Sequence, residues 1–421
     1  MSATVPAAND EPDRLPRRLP GLPRGVERGP AVSVMPRRRL LLAGATWCAM
    51  RAVAEEPVEA RSALRVTTRA GGVTRVLDGR MIVEAADGGL LLELADQRYE
   101  ILQPDEIVSR ERLGSLPLAP TPKDVGQRIQ AELPPGFETH VTRHYVVCFD
   151  TSRDYARWAA SLFERLAEAF LNYWSRAGLE VAAPREPLIV VIFAEREGYE
   201  RYAARDLGAA VDRVVGYYNL MSNRVATYDL TGSESLRSGS AGGARRGPAE
   251  ILALPDAAPL VSTLVHEATH QMAFNCGLHA RLAPVPVWVS EGVATFFETP
   301  DLRSRSGWRG IGTVNRHRLE RFRRTYRPGE LEALVGTDDR FRDPATAPDA
   351  YAAAWALTWF LISTKHDPFV RYLGAMAGKT PFAADTPAQR LEDFAAAFAA
   401  APADLEPALE RHMARLETRT P

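Results

Sequence analysis

The chain has 421 residues, 46% of them apolar and 25% charged: too long for one ordinary core, and ordinary in composition for a soluble globular protein. Its 52 basic and 53 acidic residues nearly cancel, which argues against a dedicated nucleic-acid binder, since such proteins carry a basic surplus. Three cysteines exclude a disulfide scaffold, and no apolar run reaches the roughly 18–20 residues of a membrane span.

Residues 1–34 are rich in Pro and Arg without apolar periodicity and read as a disordered extension. In residues 35–54, Arg37-Arg38-Arg39 precede the apolar run Leu40–Met50, and Ala52-Val53-Ala54 follow. A basic head, a short apolar stretch and an A-x-A site describe a signal peptide cleaved after Ala54, so the expected destination is exported, periplasmic or extracellular. The adjacent arginines also allow a twin-arginine route. The rival is an arginine-flanked buried helix, and Arg51 inside the cleavage region speaks for it.

Residues 61–112 read as a small β domain. Asp78-Gly79, Asp87-Gly88-Gly89 and Asp96-Gln97 fall nine residues apart, with strand-like Met81-Ile82-Val83 and Leu90-Leu91-Leu92 between them, as in a meander or small barrel. Residues 113–136 carry Pro117, Pro120, Pro122, Pro134 and Pro135 and read as a linker with room for one short helix. Residues 137–421 form the second domain. It opens with a strand over 140–149, then a helix capped by Thr151 or Ser152, in which Tyr155, Trp158, Leu162, Leu166, Phe170 and Tyr173 recur at helical steps. Leu188–Phe193 reads as a buried strand. Met221-Ser222-Asn223 separates two strands of a hairpin, and residues beyond 255 are helical almost to the end. The fold class is therefore α+β, with a mainly helical C-terminal half.

The chemistry concentrates in Leu260–Glu298. His266-Glu267-Ala268-Thr269-His270 is an H-E-x-x-H motif on an apolar-faced helix. Positions i and i+4 project from one helix face, so both imidazoles can reach one zinc ion about 2 Å from each nitrogen. Glu267 projects about 100° away, out of the ligand set yet within reach of a metal-activated water. Two surface histidines on an amphipathic helix are the bland alternative, and context decides against it. A catalytic zinc needs a third ligand, and Glu291 follows twenty-one residues after His270 on a second apolar helix opened by Pro286. A third histidine on the same segment is not offered: Ala273 and Cys276 occupy the metzincin positions, and His279 lies beyond the Gly277 helix stop.

Val265–Gln271 (VHEATHQ) followed by Trp288–Glu298 (WVSEGVATFFE) resembles the gluzincin-type, peptidase MA-like zinc metallopeptidases. More closely, the chain resembles a poorly characterised exported bacterial family with the same HEATHQ stretch, through DGGLLLELADQRYEILQPDEIV, TRHYVVCFDTS and GYYNLMSNRVATYD as well. The resemblance implies a zincin-like metallopeptidase domain, with His266, His270 and Glu291 as Zn2+ ligands and Glu267 as general base. It also suggests Tyr351, sixty residues after Glu291, as an oxyanion donor, against the ordinary reading of a core or capping tyrosine. In well-studied gluzincins an acid four residues after the glutamate ligand often supports a histidine; here Thr295 stands there, and Glu298 is either its substitute or a solvated surface residue.

The expected activity is hydrolysis of peptide bonds in a peptide or protein substrate, with Arg224–Asp229 as an edge strand pairing with it. A non-catalytic zincin-fold envelope or binding protein is the alternative, and a zinc hydrolase of non-peptide substrates is a third reading. The intact Glu267 favours an enzyme. The phosphate-loop lookalike Gly374–Thr380 is one residue short and follows a helix. The basic run Arg316–Arg327 reads as a solvated helix face; His140, His144, His366 and His412 read as structural or surface residues, and a Cys148–Cys276 pair is left open.

Overall fold

The computed structural model describes residues 63–114, 120–232, 247–299 and 308–416, so the extension 1–34 and the signal segment 35–54 lie outside the described residues. Two sheets and a helical C-terminal half make the chain mixed α+β.

The first sheet holds β1 (Ala63–Ala70), β2 (Val73–Glu84), β3 (Leu90–Leu94), β4 (Tyr99–Leu102) and β5 (Ile107–Leu113). Its order is β4-β3-β2-β1-β5, antiparallel throughout. The Asp87-Gly88-Gly89 turn forms as expected: Gly88 takes φ 92°, and the Asp87 carboxylate accepts from the Gly89 amide. Asp78-Gly79 makes no turn; it lies inside β2, with Gly79 paired to Leu64 and Leu94 and the Asp78 carboxylate held by Arg65 across the ladder. Alternation turns Leu64, Val66, Leu90, Leu92 and Leu102 to one face, a small core of its own.

The expected linker contains α1 (Pro122–Glu132). Thr121 caps it, and Val125 and Ile129 enter the main core. The strand expected over 140–149 is a hairpin instead, β6 (Glu138–Val141) and β7 (Tyr145–Phe149). Its turn is fixed by Glu164, which accepts from the Thr142 hydroxyl and the His144 amide. Ser152 then caps α2 (Arg153–Arg176), whose apolar stripe buries Leu162, Phe163, Leu166 and Phe170. β8 (Leu188–Phe193) is followed by α3 (Arg196–Leu207), β9 (Gly216–Asn219) and β10 (Arg224–Tyr228).

The second sheet runs β6-β7-β8-β10-β9, with β7, β8 and β10 parallel and both edges antiparallel. All residues of β7, β8 and β10 are buried, because helices cover both faces. Val146, Ile189 and Arg224 share one face, and there α1 places Gly126 against Val146 and Glu132 against Arg224. On the other face Tyr145 meets Phe163 of α2. This topology corrects one expectation: β10 is interior, and the edge strand on that side of the sheet is β9.

Two short or buried helices follow, α4 (Pro248–Leu252) and α5 (Ala258–Ala273). Every residue of α5 from Thr263 to Ala273 is buried, as expected of a helix wrapped on all sides. The C-terminal half is α6 (Val287–Phe297), α7 (Arg316–Thr325), α8 (Glu330–Gly336), α9 (Asp339–Arg342), α10 (Ala347–Thr364), α11 (His366–Ala377), α12 (Pro387–Phe398) and α13 (Pro402–Arg415). The phosphate-loop lookalike begins inside α11, with no strand before it. No helix among the described residues is long and apolar enough to cross a membrane.

Candidate metal centre

Helix α5 presents His266 and His270 on one face, and α6 packs against that face. Three features hold α6 there. Pro286 starts it, the Val287 amide donates to Asp338, and Trp288 stacks on Tyr372 with centroids 5.6 Å apart. Gly292 lets α10 approach: a Cβ at that position would stand 2.0 Å from Thr358 Oγ1 and 3.1 Å from the Ala354 carbonyl. The residue before this glycine is Glu291, which the close packing aims at α5.

The two imidazoles and this carboxylate meet. His266 Nε2 lies 3.1 Å from His270 Nε2, and Glu291 Oε2 lies 3.2 Å and 3.4 Å from those nitrogens. His266 and Glu291 are 0% and 1% exposed. This buried group of three could hold a metal ion. The spacing suits one, since ligand atoms on a common cation sit on the edges of its coordination polyhedron, a little over 3 Å apart for bonds near 2 Å.

Electrostatics reinforce the pairing. Burial alone would lower the pKa of His266, but hydrogen bonds with Glu291 and Glu298 outweigh it and raise the imidazole to about 9. Burial would raise Glu291, but His270 and His266 hold it down at about 2. Burial lowers His270. Ligation requires neutral imidazoles and an ionised carboxyl group, so protons compete with a cation for this site.

Glu267 sits apart from the ligand set. It is fully buried, its Oε2 accepts from the Tyr218 amide of β9 at 2.8 Å, and its Oε1 has no hydrogen-bond partner among the described residues. Burial raises its carboxyl group to about 8.

Around these residues lies a shell that the sequence left undecided. Thr295 does not support a histidine; its hydroxyl donates back along α6 to the Glu291 and Gly292 carbonyls. Glu298 does: it is buried, with Oε2 3.2 Å from His266 Nδ1. Its charge is matched by Arg318, whose Nε and Nη2 donate to Oε1 at 2.5 Å and Oε2 at 2.8 Å, and Asn315 donates to Oε1. Burial opposes ionisation of Glu298, yet the guanidinium holds it at about 2. Arg318 corrects the reading of residues 316–327 as a solvated face, for it is 8% exposed. A signal was there: Arg318 stands one turn before Phe322 and beside Leu319, on the side of α7 that the apolar residues mark as inward.

Tyr351, at the start of α10, is buried against Phe341, with the Arg318 guanidinium 5.8 Å from its ring centre. It therefore borders the Glu298–Arg318 shell. His279 is buried against Phe274 with both ring nitrogens unpartnered among the described residues, and burial lowers it to about 3. His144 is a structural histidine, paired through Nδ1 with Glu164 at 2.7 Å. Cys148 and Cys276 are free and buried.

Residues 260–383 match a family described as a protein of unknown function (DUF1570). The match covers α5 from its first turn, α6 and α10, and so contains all three residues of the cluster and Glu267. No curated protein matches the chain.

Proposed function

We propose that this chain is a zinc-dependent, gluzincin-like peptidase, exported by its N-terminal signal and acting on peptides or proteins. The observation that carries the reading is the approach of Glu291 to both imidazoles of the H-E-x-x-H helix, with Glu267 left outside that set. His266, His270 and Glu291 would hold the ion. The donor set of two nitrogens and one carboxylate oxygen is that of catalytic rather than structural zinc, and their 3.1–3.4 Å separations match the edges of a tetrahedron with bonds of about 2.0–2.1 Å. When bound, zinc acts as a Lewis acid and brings a water molecule's pKa near 7.

The chain's own groups supply the rest. Glu267 is held through Oε2 by the Tyr218 amide, leaving Oε1 free to take a proton from the attacking water and return it to the leaving amine. Burial raises this carboxyl group in the metal-free chain, and a bound dication beside it would favour the ionised form that accepts the proton. Glu298 orients His266 through Nδ1, and Arg318 keeps Glu298 ionised. Tyr351 is the proposed donor to the developing oxyanion. The edge strand β9 is the element that offers backbone groups to an extended substrate.

The test compares the parent with Glu267→Ala by metal analysis and by assay on a broad peptide library. About one zinc per chain in both, with turnover only in the parent, supports the peptidase. Zinc in both and turnover in neither assigns the fold to binding, and no zinc in the parent ends the proposal.

A further inference from the structure

Helix α5 has two working faces. His266 and His270 turn toward α6, while Glu267 and Gln271, and Asn275 just past the helix end, follow one another at four-residue steps and all meet the β9–β10 hairpin. Glu267 accepts from the Tyr218 amide, Gln271 Nε2 donates to the Asn223 carbonyl at 2.9 Å, and Asn275 exchanges two 2.8 Å hydrogen bonds with the Asn223 side chain. Asn223 also accepts from the Tyr218 hydroxyl at 2.7 Å, so one buried amide ties the hairpin turn to both ends of this face. Its φ of 58° is a left-handed conformation that asparagine tolerates.

The first sheet reaches the same amide. Gln97, in the β3–β4 turn at φ 63°, accepts from Asn223 Nδ2 at 3.1 Å and donates to the Pro187 carbonyl before β8. Arg281 clamps that turn: Nη1 donates to the Gln97 carbonyl at 2.7 Å, Nη2 meets Glu93, and the guanidinium lies 3.7 Å over the Tyr99 ring. The Tyr99 amide donates to the Met221 carbonyl in the hairpin.

We propose that the N-terminal β module is part of the scaffold of the metal centre, with Gln97 and Asn223 as positioning residues that hold β9, and through the Tyr218 amide Glu267, in place. The inference rests on the peptidase reading for its catalytic half only. Gln97→Gly and Asn223→Gly remove the amides where glycine suits the backbone, so both variants keep their turns. Zinc content should stay at the parent level, because the ligands lie on the other face of α5. Exchange of the β9 amides, read by hydrogen–deuterium mass spectrometry, should quicken about tenfold in each variant, while β7 and β8 keep their protection. In an active parent, kcat should fall about five- to tenfold with KM within twofold. Unchanged β9 exchange in both variants overturns the proposal, as does quickened exchange with full kcat. A parent that cleaves no peptide ends the peptidase reading separately, and the exchange measurement then decides the scaffold role alone.

Discussion

Replacing Glu298 by glutamine keeps the side chain's shape and removes its charge, and the structure separates the consequences. The carboxylate accepts from Arg318 Nε at 2.5 Å, Arg318 Nη2 at 2.8 Å and Asn315 at 2.7 Å, and stands 3.2 Å from His266 Nδ1, all with 3% exposure. Glu298→Gln strands a buried guanidinium, which costs about 3–5 kcal/mol of folding stability. That is a large share of the ~5–15 kcal/mol that keeps an ordinary domain folded. It also takes from His266 the anionic acceptor that orients the ring, a loss of about 10–100-fold in zinc affinity, or ~1.4–2.7 kcal/mol. Adding Arg318→Met removes the stranded charge without restoring the acceptor. The double variant should therefore regain most of the stability and none of the zinc affinity. Urea unfolding in the presence of a chelator reads the first quantity, and competition against a zinc-binding dye reads the second. Parent-like zinc affinity in Glu298→Gln, within twofold, would refute the argument, and so would recovery of affinity in the double variant.

Gly292→Ala should destabilise the protein by about 1–3 kcal/mol and loosen zinc, because its Cβ would collide with Thr358 and the Ala354 carbonyl and push α6, with Glu291, off α10; unchanged unfolding and zinc affinity would show that the helices part freely. Asp338 is held below the usual aspartate range: burial opposes this, but Arg390, bonded at 2.6 Å and 3.2 Å, prevails. A depressed carboxylate stabilises the fold fully above about pH 4 and loses that contribution as pH falls toward its folded value, so Asp338→Asn should lose less stability between pH 7 and pH 3 than the parent; parallel pH profiles would count against the pairing. Burial pushes the Cys148 and Cys276 thiols up to about 12, so both should resist iodoacetamide in the native protein and react once it is unfolded, and fast native labelling of either would contradict the packing.

Local signals carried much of the fold. Ser152 as a cap, the Asp87-Gly88-Gly89 turn, Pro286 at the start of α6 and the unbroken apolar run of β8 each act within a few residues, so they are legible before any tertiary structure exists. The hairpin turn at 142–144 was hidden because Glu164, twenty residues away on α2, supplies the acceptor that fixes it. Likewise β10 has the composition of a strand on either edge or interior; only its pairing with both β8 and β9 decides which.

The candidate site divides along the same line. The i, i+4 spacing determined that His266 and His270 share a face, and helix geometry alone turned Glu267 away from it. Whether Glu291 meets them depends on how closely α6 can pass α10, which Gly292 and Thr358 settle across sixty-six residues of chain. Glu298, which follows the last residue of α6, and Arg318 of α7 stand twenty residues apart, and only the packing of the two segments removes water from the pair. Covalent neighbourhood sets a residue's direction, whereas its partners, and so its charge state and its role, are set by which distant segments exclude solvent around it.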